Sequence, residues 1–148
     1  MSITTAKKVL INESRAVAKL AGKLDADFAR VVKLLASAKG RVVITGMGKP
    51  GFIAQKVSAT MASTGTPSLY LHPAEALHGD LGRITRQDVI IAFSNSGETE
   101  EVIRLIPIIK KIGAKLVAVT GNKKSTLAVN SDFVLDSSVD KEACPMGL

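Results

Sequence analysis

From residue 41 onward the chain repeats one pattern: a short β-branched run, a glycine- or serine-rich loop, then apolar residues at helical spacing. Arg41-Val42-Val43-Ile44-Thr45 runs into Gly46-Met47-Gly48-Lys49-Pro50-Gly51 and a helical stretch over Ile53–Thr64, with Pro50 suited to a first helical turn because its missing N–H costs nothing there. Ser68–Leu71 reads as a short strand, followed by a polar segment through Gly82 and a strand over Asp88–Phe93. A helix over 98–112 stops before Gly113, Lys115–Thr120 is a strand, and Ser125–Asn130 a short helix leading to a last strand at Phe133–Leu135. Alternating strand and helix predicts an α/β, three-layer αβα sandwich: a five-stranded parallel, flavodoxin-like sheet of order 2-1-3-4-5 with helices on both faces. Upstream, Val9, Leu10, Val17, Leu20, Leu24, Phe28, Val31, Val32 and Leu35 recur at helical spacing over 4–38, one long helix or two with a break near Gly22 or Asp25. Such sheets bind ligands outside the carboxyl ends of their strands, where the loops 46–51 and 94–99 fall.

Composition narrows the class. With 148 residues, 46% hydrophobic but only 3% aromatic, the chain has enough apolar material for one core, built from Val, Ile, Leu and Ala as in buried parallel sheets. No apolar run approaches the ~20 residues of a membrane span, and Lys7 and Lys8 interrupt any secretory apolar core, so a soluble cytoplasmic protein is expected. The one cysteine, Cys144, forms no internal disulfide and is expected to be a small buried residue. The net charge of +7 is spread over pairs such as Lys7-Lys8, Lys110-Lys111 and Lys123-Lys124. One Tyr and no Trp give no stacking platform, so the charge points to a small anionic ligand or to solubility, and neither nucleic acid nor membrane is an expected partner.

Two loops carry candidate chemistry. Gly46-x-Gly48-x-x-Gly51 has the spacing of a dinucleotide fingerprint, but Leu71-His72-Pro73 stands where the acidic ribose-binding residue belongs. A nucleotide-binding dehydrogenase and a plain strand–helix turn both stay open on that loop. Ser94-Asn95-Ser96-Gly97-Glu98-Thr99-Glu100-Glu101 is more specific: Ser94, Ser96 and Thr99 offer hydroxyls, Gly97 allows close backbone approach, and a helix start follows, the arrangement that aims donors at a phosphate. Its structural alternative is an N-cap by Ser96 or Gly97, with the acids at the helix's positive end. The acids also suit proton transfer.

Several motifs together resemble one family. Gly46-Met47-Gly48-Lys49, Ser63-Thr64-Gly65-Thr66-Pro67, His72-Pro73-Ala74-Glu75-Ala76, His78-Gly79-Asp80-Leu81-Gly82, Ser94-Asn95-Ser96-Gly97-Glu98 and Lys141-Glu142-Ala143-Cys144-Pro145 are similar to the sugar isomerase (SIS) domain of arabinose 5-phosphate isomerases. The resemblance implies an aldose–ketose isomerase that interconverts D-arabinose 5-phosphate and D-ribulose 5-phosphate on the route to the lipopolysaccharide sugar Kdo. It implies Lys49, Glu101 and Glu142 at catalytic positions, Gly48, Ser94, Asn95, Ser96 and Thr99 around the phosphate, and His78 near the site. It implies no metal or organic cofactor and a homodimer or homotetramer. Each residue also has a structural reading: Glu101 as a first-turn acid, Glu142 as a surface charge, His72 and His78 as hydrogen-bonded loop histidines.

The chain departs from that family in two ways. Pro50 and Phe52 stand where the family usually has Ser and often His, removing one phosphate hydroxyl and making the first loop more apolar. The whole of 1–148 is expected to be the SIS domain, with 1–39 its N-terminal helical segment; the family's further helices, a histidine-bearing motif and the paired CBS domains are absent from this chain. A non-catalytic sugar-phosphate-binding module is therefore the alternative to an isomerase.

Overall fold

The computed structural model describes residues 2–144. The apolar run at 4–38 becomes two helices, α1 (Ile3–Leu20) and α2 (Ala26–Ala36), separated by a 3-10 turn at Ala21–Lys23. The break falls where Gly22 and Asp25 announce it: Asp25 turns extended and its carboxylate accepts the N–H groups of Asp27 and Phe28, capping α2. Ser2 caps α1 in the same way, accepting from the Thr5 N–H. None of α1's residues is buried, whereas α2 sinks Val31.

Five strands follow: β1 (Val42–Gly46), β2 (Ser68–Leu71), β3 (Val89–Phe93), β4 (Lys115–Thr120) and β5 (Phe133–Asp136). All four ladders are parallel, as the alternation predicts, and the order is the expected flavodoxin-like β2-β1-β3-β4-β5. β1 is buried along its whole length, which is why it reads as a continuous apolar run rather than an alternating one. Successive side chains feed two cores. Val43, Leu71, Ile90, Ala92, Leu116 and Ala118 point to the layer of α4 (Pro73–Leu77), α5 (Glu100–Ile103), α6 (Ile106–Ile112) and α7 (Thr126–Val129), meeting Ala76, Val102, Ile109 and Leu127. Val42, Ile44, Val89, Ile91 and Val117 point the other way, to α2 and α3 (Gly48–Ser63) through Val31 and Ala54.

Three expectations about the elements change, and one about burial. α3 begins at Gly48, so Lys49 and Pro50 belong to its first turn and the preceding loop is shorter than 46–51. The run 98–112 is two helices, because Pro107 has no N–H to donate and its ring collides with the carbonyl four residues back; the chain re-enters helix at Ile106 with Ile109 N–H donating to Leu105 (2.9 Å). The polar segment between β2 and β3, given no element from the sequence, carries α4 and a 3-10 turn at Asp80–Arg83. Cys144 is half-buried rather than buried, and Pro145 of the last motif lies outside the described residues.

At the amino ends of the strands a buried carboxylate ties the sheet together. Asp88, 2% exposed, accepts the N–H of Arg41 (2.7 Å) and the N–H (2.7 Å) and hydroxyl (3.1 Å) of Thr85. Burial pushes its pKa up, but these donors and the Arg41 guanidinium outweigh burial and leave it below the usual carboxylate value. Gly40 passes so close that a Cβ there would stand 2.5 Å from the Asp88 carboxylate.

Candidate functional site

The candidate site lies at the opposite, carboxyl edge, where the strand order turns back between β1 and β3. Gly46 and Phe93 are register partners, so the loops that leave these strands start side by side. From the first, α3 departs along one face of the sheet; from the second, α5 departs along the other. The first loop is packed on backbone. A Cβ on Gly51 would stand 2.7 Å from the Gly46 carbonyl oxygen, which itself accepts the Tyr70 hydroxyl (2.9 Å). The three glycines of 46–51 thus serve a close strand–helix turn, and Gly48 takes a φ of +62°.

The second loop is organised by its own hydroxyls. Ser94, 2% exposed, accepts the Gly97 N–H (3.1 Å) and shares a hydrogen bond with the Thr99 hydroxyl (2.8 Å). With Ser94 donating, a relay runs from Gly97 N–H through Ser94 to Thr99, whose own proton is left for an acceptor in the crevice. Ser96 is exposed and accepts the Glu98 N–H (3.1 Å), leaving its proton to donate outward. Neither Ser96 nor Gly97 caps the helix: α5 starts at Glu100 with Thr99 at its N-cap position and no side-chain cap bond. A single turn carries little macrodipole, so anion binding here rests on hydroxyl and N–H donors rather than on a helix end.

Glu98 is taken up by structure. Its Oε1 accepts the Thr126 N–H at 2.6 Å, at the start of α7. Glu101 sits half-buried in the first turn of α5. Lys49 is exposed in the first turn of α3. His78 ends α4, exposed, and α4 packs beside α5. Glu142 lines a cleft with Asn95, Gly121, Ser138 and Lys141, which brings it to the second loop. Ser94 with Thr99 and Asn95 with Glu142 are the sequence-derived candidates joined by contact or by a shared cleft; Lys49, Glu101 and His78 share the edge without a bond among the described residues.

The end of β4 and the residues after it also belong to the site. Gly121 N–H (2.9 Å) and the Thr120 hydroxyl (3.2 Å) donate to the Asn95 carbonyl, and Leu127 N–H donates to Gly97 O (3.1 Å). Gly97 has a φ of +69°, and a Cβ there would fall 1.9 Å from the Ser125 hydroxyl oxygen. The Thr120-Gly121 dipeptide at the end of a strand was the one signal for this in the sequence. Two buried polar atoms at this edge have no partner among the described residues, Thr45 Oγ1 and His72 Nδ1, both next to the carboxyl ends of β1 and β2. No cluster of three or more metal-ligating side chains occurs among the described residues.

Fold and crevice define an open parallel α/β domain with its ligand edge at the switch point. Residues 34–147 match the family model of the SIS domain. The chain belongs to the SIS domain family. It is 49% identical over 146 residues to arabinose 5-phosphate isomerase KdsD of Pseudomonas aeruginosa, a match covering 99% of this chain and 45% of that protein. Arabinose 5-phosphate isomerase KpsF of Escherichia coli CFT073 is 47% identical over 147 residues, again with 45% of its length covered. The chain therefore spans about half the length of the curated relatives it matches. Among solved structures, Escherichia coli CFT073 c3406, in complex with arabinose 5-phosphate, superposes with a TM-score of 0.93 at 42% identity, covering 100% of this chain and 81% of the other.

Proposed function

We propose that this chain is the sugar-phosphate-binding domain of an arabinose 5-phosphate isomerase, interconverting D-arabinose 5-phosphate and D-ribulose 5-phosphate in the supply of Kdo for lipopolysaccharide. The observation that carries the reading is the Ser94–Thr99 relay at the switch point of a chain 42% identical to one solved with arabinose 5-phosphate. With Ser94 donating, Thr99 keeps its hydroxyl proton for a phosphate oxygen, as Ser96 does, and Gly48, at the start of α3, and Asn95 border the same edge. With Pro50 in the first loop, the second loop bears more of the phosphate.

The reaction needs a base to take the proton from C2 of the aldose, a proton returned to C1, and a proton moved between the two oxygens. A positioned carboxylate can take and return a proton and suits the first two tasks. Glu101, half-buried in α5, and Glu142, on the cleft with Asn95, take these roles; the Lys49 ammonium stabilises the enediolate oxygen as charge develops, and His78 stands near the site. The scheme uses no metal or organic cofactor. The enzyme works in the cytoplasm as a homodimer or homotetramer.

The test is turnover of D-arabinose 5-phosphate by the protein that contains this chain. Glu101→Gln is expected to lower kcat by about a hundred- to ten-thousand-fold with the fold intact. Turnover matching the unmodified protein would sink the role of Glu101. Calorimetric binding without any turnover would instead support the binding-module reading.

A further inference from the structure

The strand ladder holds the chain only as far as β5 and Ser137, whose N–H donates to the Thr120 carbonyl at 3.0 Å. The segment that follows, Ser138–Glu142, has no helix or strand of its own, yet it carries Glu142 along the cleft beside Asn95 and Gly121. Its back is gripped from the N-terminal helical segment. Lys23 Nζ donates to the Ser138 carbonyl (2.5 Å) and to the Ser138 hydroxyl, and stands 3.6 Å from the Asp136 carboxylate. Lys19, one turn earlier, pairs with Asp140. Asp136 closes the arrangement by accepting the Ser138 N–H at 2.8 Å. Hydrogen bonding from Ser138 holds the Asp136 pKa down against burial, aided by Lys23 and Lys123.

We infer that Lys23, assisted by Lys19, is a positioning residue: it clamps the tail after β5 so that Glu142 faces the second loop. The inference rests on the isomerase reading for the role of Glu142, but the clamp is a statement about geometry. The two lysines are unequal. The Lys19–Asp140 pair is 64% and 76% exposed, where ion pairs contribute little, whereas Lys23 and Asp136 are 29% and 17% exposed and each hydrogen-bonds Ser138. The ammonium donates to the carbonyl and the hydroxyl of Ser138 while its charge faces the Asp136 carboxylate. This also gives the 3-10 turn between α1 and α2 a purpose, since it is the turn that carries Lys23.

Lys23→Met tests the inference, with Lys23→Arg as the conservative rescue and Asp136→Asn as a second route to the same loss. Two readouts are taken: arabinose 5-phosphate kinetics, and backbone NMR order parameters of residues 138–142 without substrate. Lys23→Met is expected to lower kcat by about ten- to a hundred-fold at nearly unchanged KM, as a misplaced catalytic group does. Its tail order parameters should fall below about 0.6 while the sheet stays near 0.85. Lys23→Arg should recover most of both, Asp136→Asn should weaken both in the same direction, and Lys19→Met should do less than either. A tail as rigid in Lys23→Met as in the unmodified protein overturns the clamp, as does a kcat left unchanged. If the unmodified protein shows no turnover, the isomerase reading fails and the order parameters alone decide the clamp.

Discussion

Gly97 shows how one residue decides whether the second loop can exist. Its backbone lies at a φ of +69° and its α-carbon faces the Ser125 hydroxyl at a distance that admits no Cβ. Gly97→Ala meets both a left-handed conformation and a collision, and is expected to cost about 2–4 kcal/mol. Urea melts check this; a loss under about 0.5 kcal/mol, the ordinary surface range, would mean that the loop re-forms elsewhere. That a glycine belonged there was legible from the serine-rich loop before a helix. Its partner was not, because Ser125 lies a whole strand and helix pair away in the chain. The same separation hid the fate of Glu98. In the sequence it is one of three acids beside a helix start; in three dimensions its carboxylate is spent on the Thr126 N–H.

At the scale of elements, Asp88 joins the entries to β1 and β3 at the edge away from the site. Because its folded pKa is lowered, it contributes stability that is present above its unfolded value of about 4 and is lost as pH falls through the folded value. Asp88→Ala leaves the Arg41 and Thr85 amides without their acceptor and is expected to cost about 2–4 kcal/mol at neutral pH. The gap between variant and unmodified protein should narrow as pH falls from about 4 through the folded value, below which the carboxyl is protonated in both states. Denaturant melts at pH 7 and pH 3 measure it, and an unchanged gap contradicts the assignment. Strand and helix types were readable because β-branched runs and 3.6-residue spacing are local signals. Pro107 was equally visible, yet the apolar spacing continues through it, so the split into α5 and α6 shows only where the backbone bonds are followed.

For the whole molecule, α1 is the unmet demand. Its 18 residues bury no side chain within the chain, and Ile3, Leu10 and Val17, seven residues apart, are 77%, 65% and 68% exposed. A helix with one apolar stripe is stable when that stripe is covered, and a second copy of the chain is the cover expected for a symmetric oligomer. Sedimentation should therefore report a dimer or tetramer, and Leu10→Asp should shift it toward monomer while the sheet keeps its Tm. A monomer in the unmodified protein would remove this account. By itself the sequence determined the alternation of elements, the break between α1 and α2, and the candidate loops, since each follows from local periodicity, turn chemistry or recognisable motifs; the strand order it only suggested, and the ladders decide it. Only the tertiary structure decided that Ser94 spends its hydroxyl inside the loop, that the end of β4 and the chain after it brace that loop, that Glu142 shares a cleft with Asn95, and that Lys23 hydrogen-bonds Ser138 in the segment which carries it. Those are contacts between residues far apart in the chain, and parallel crossovers bring them together through packing that no local pattern encodes.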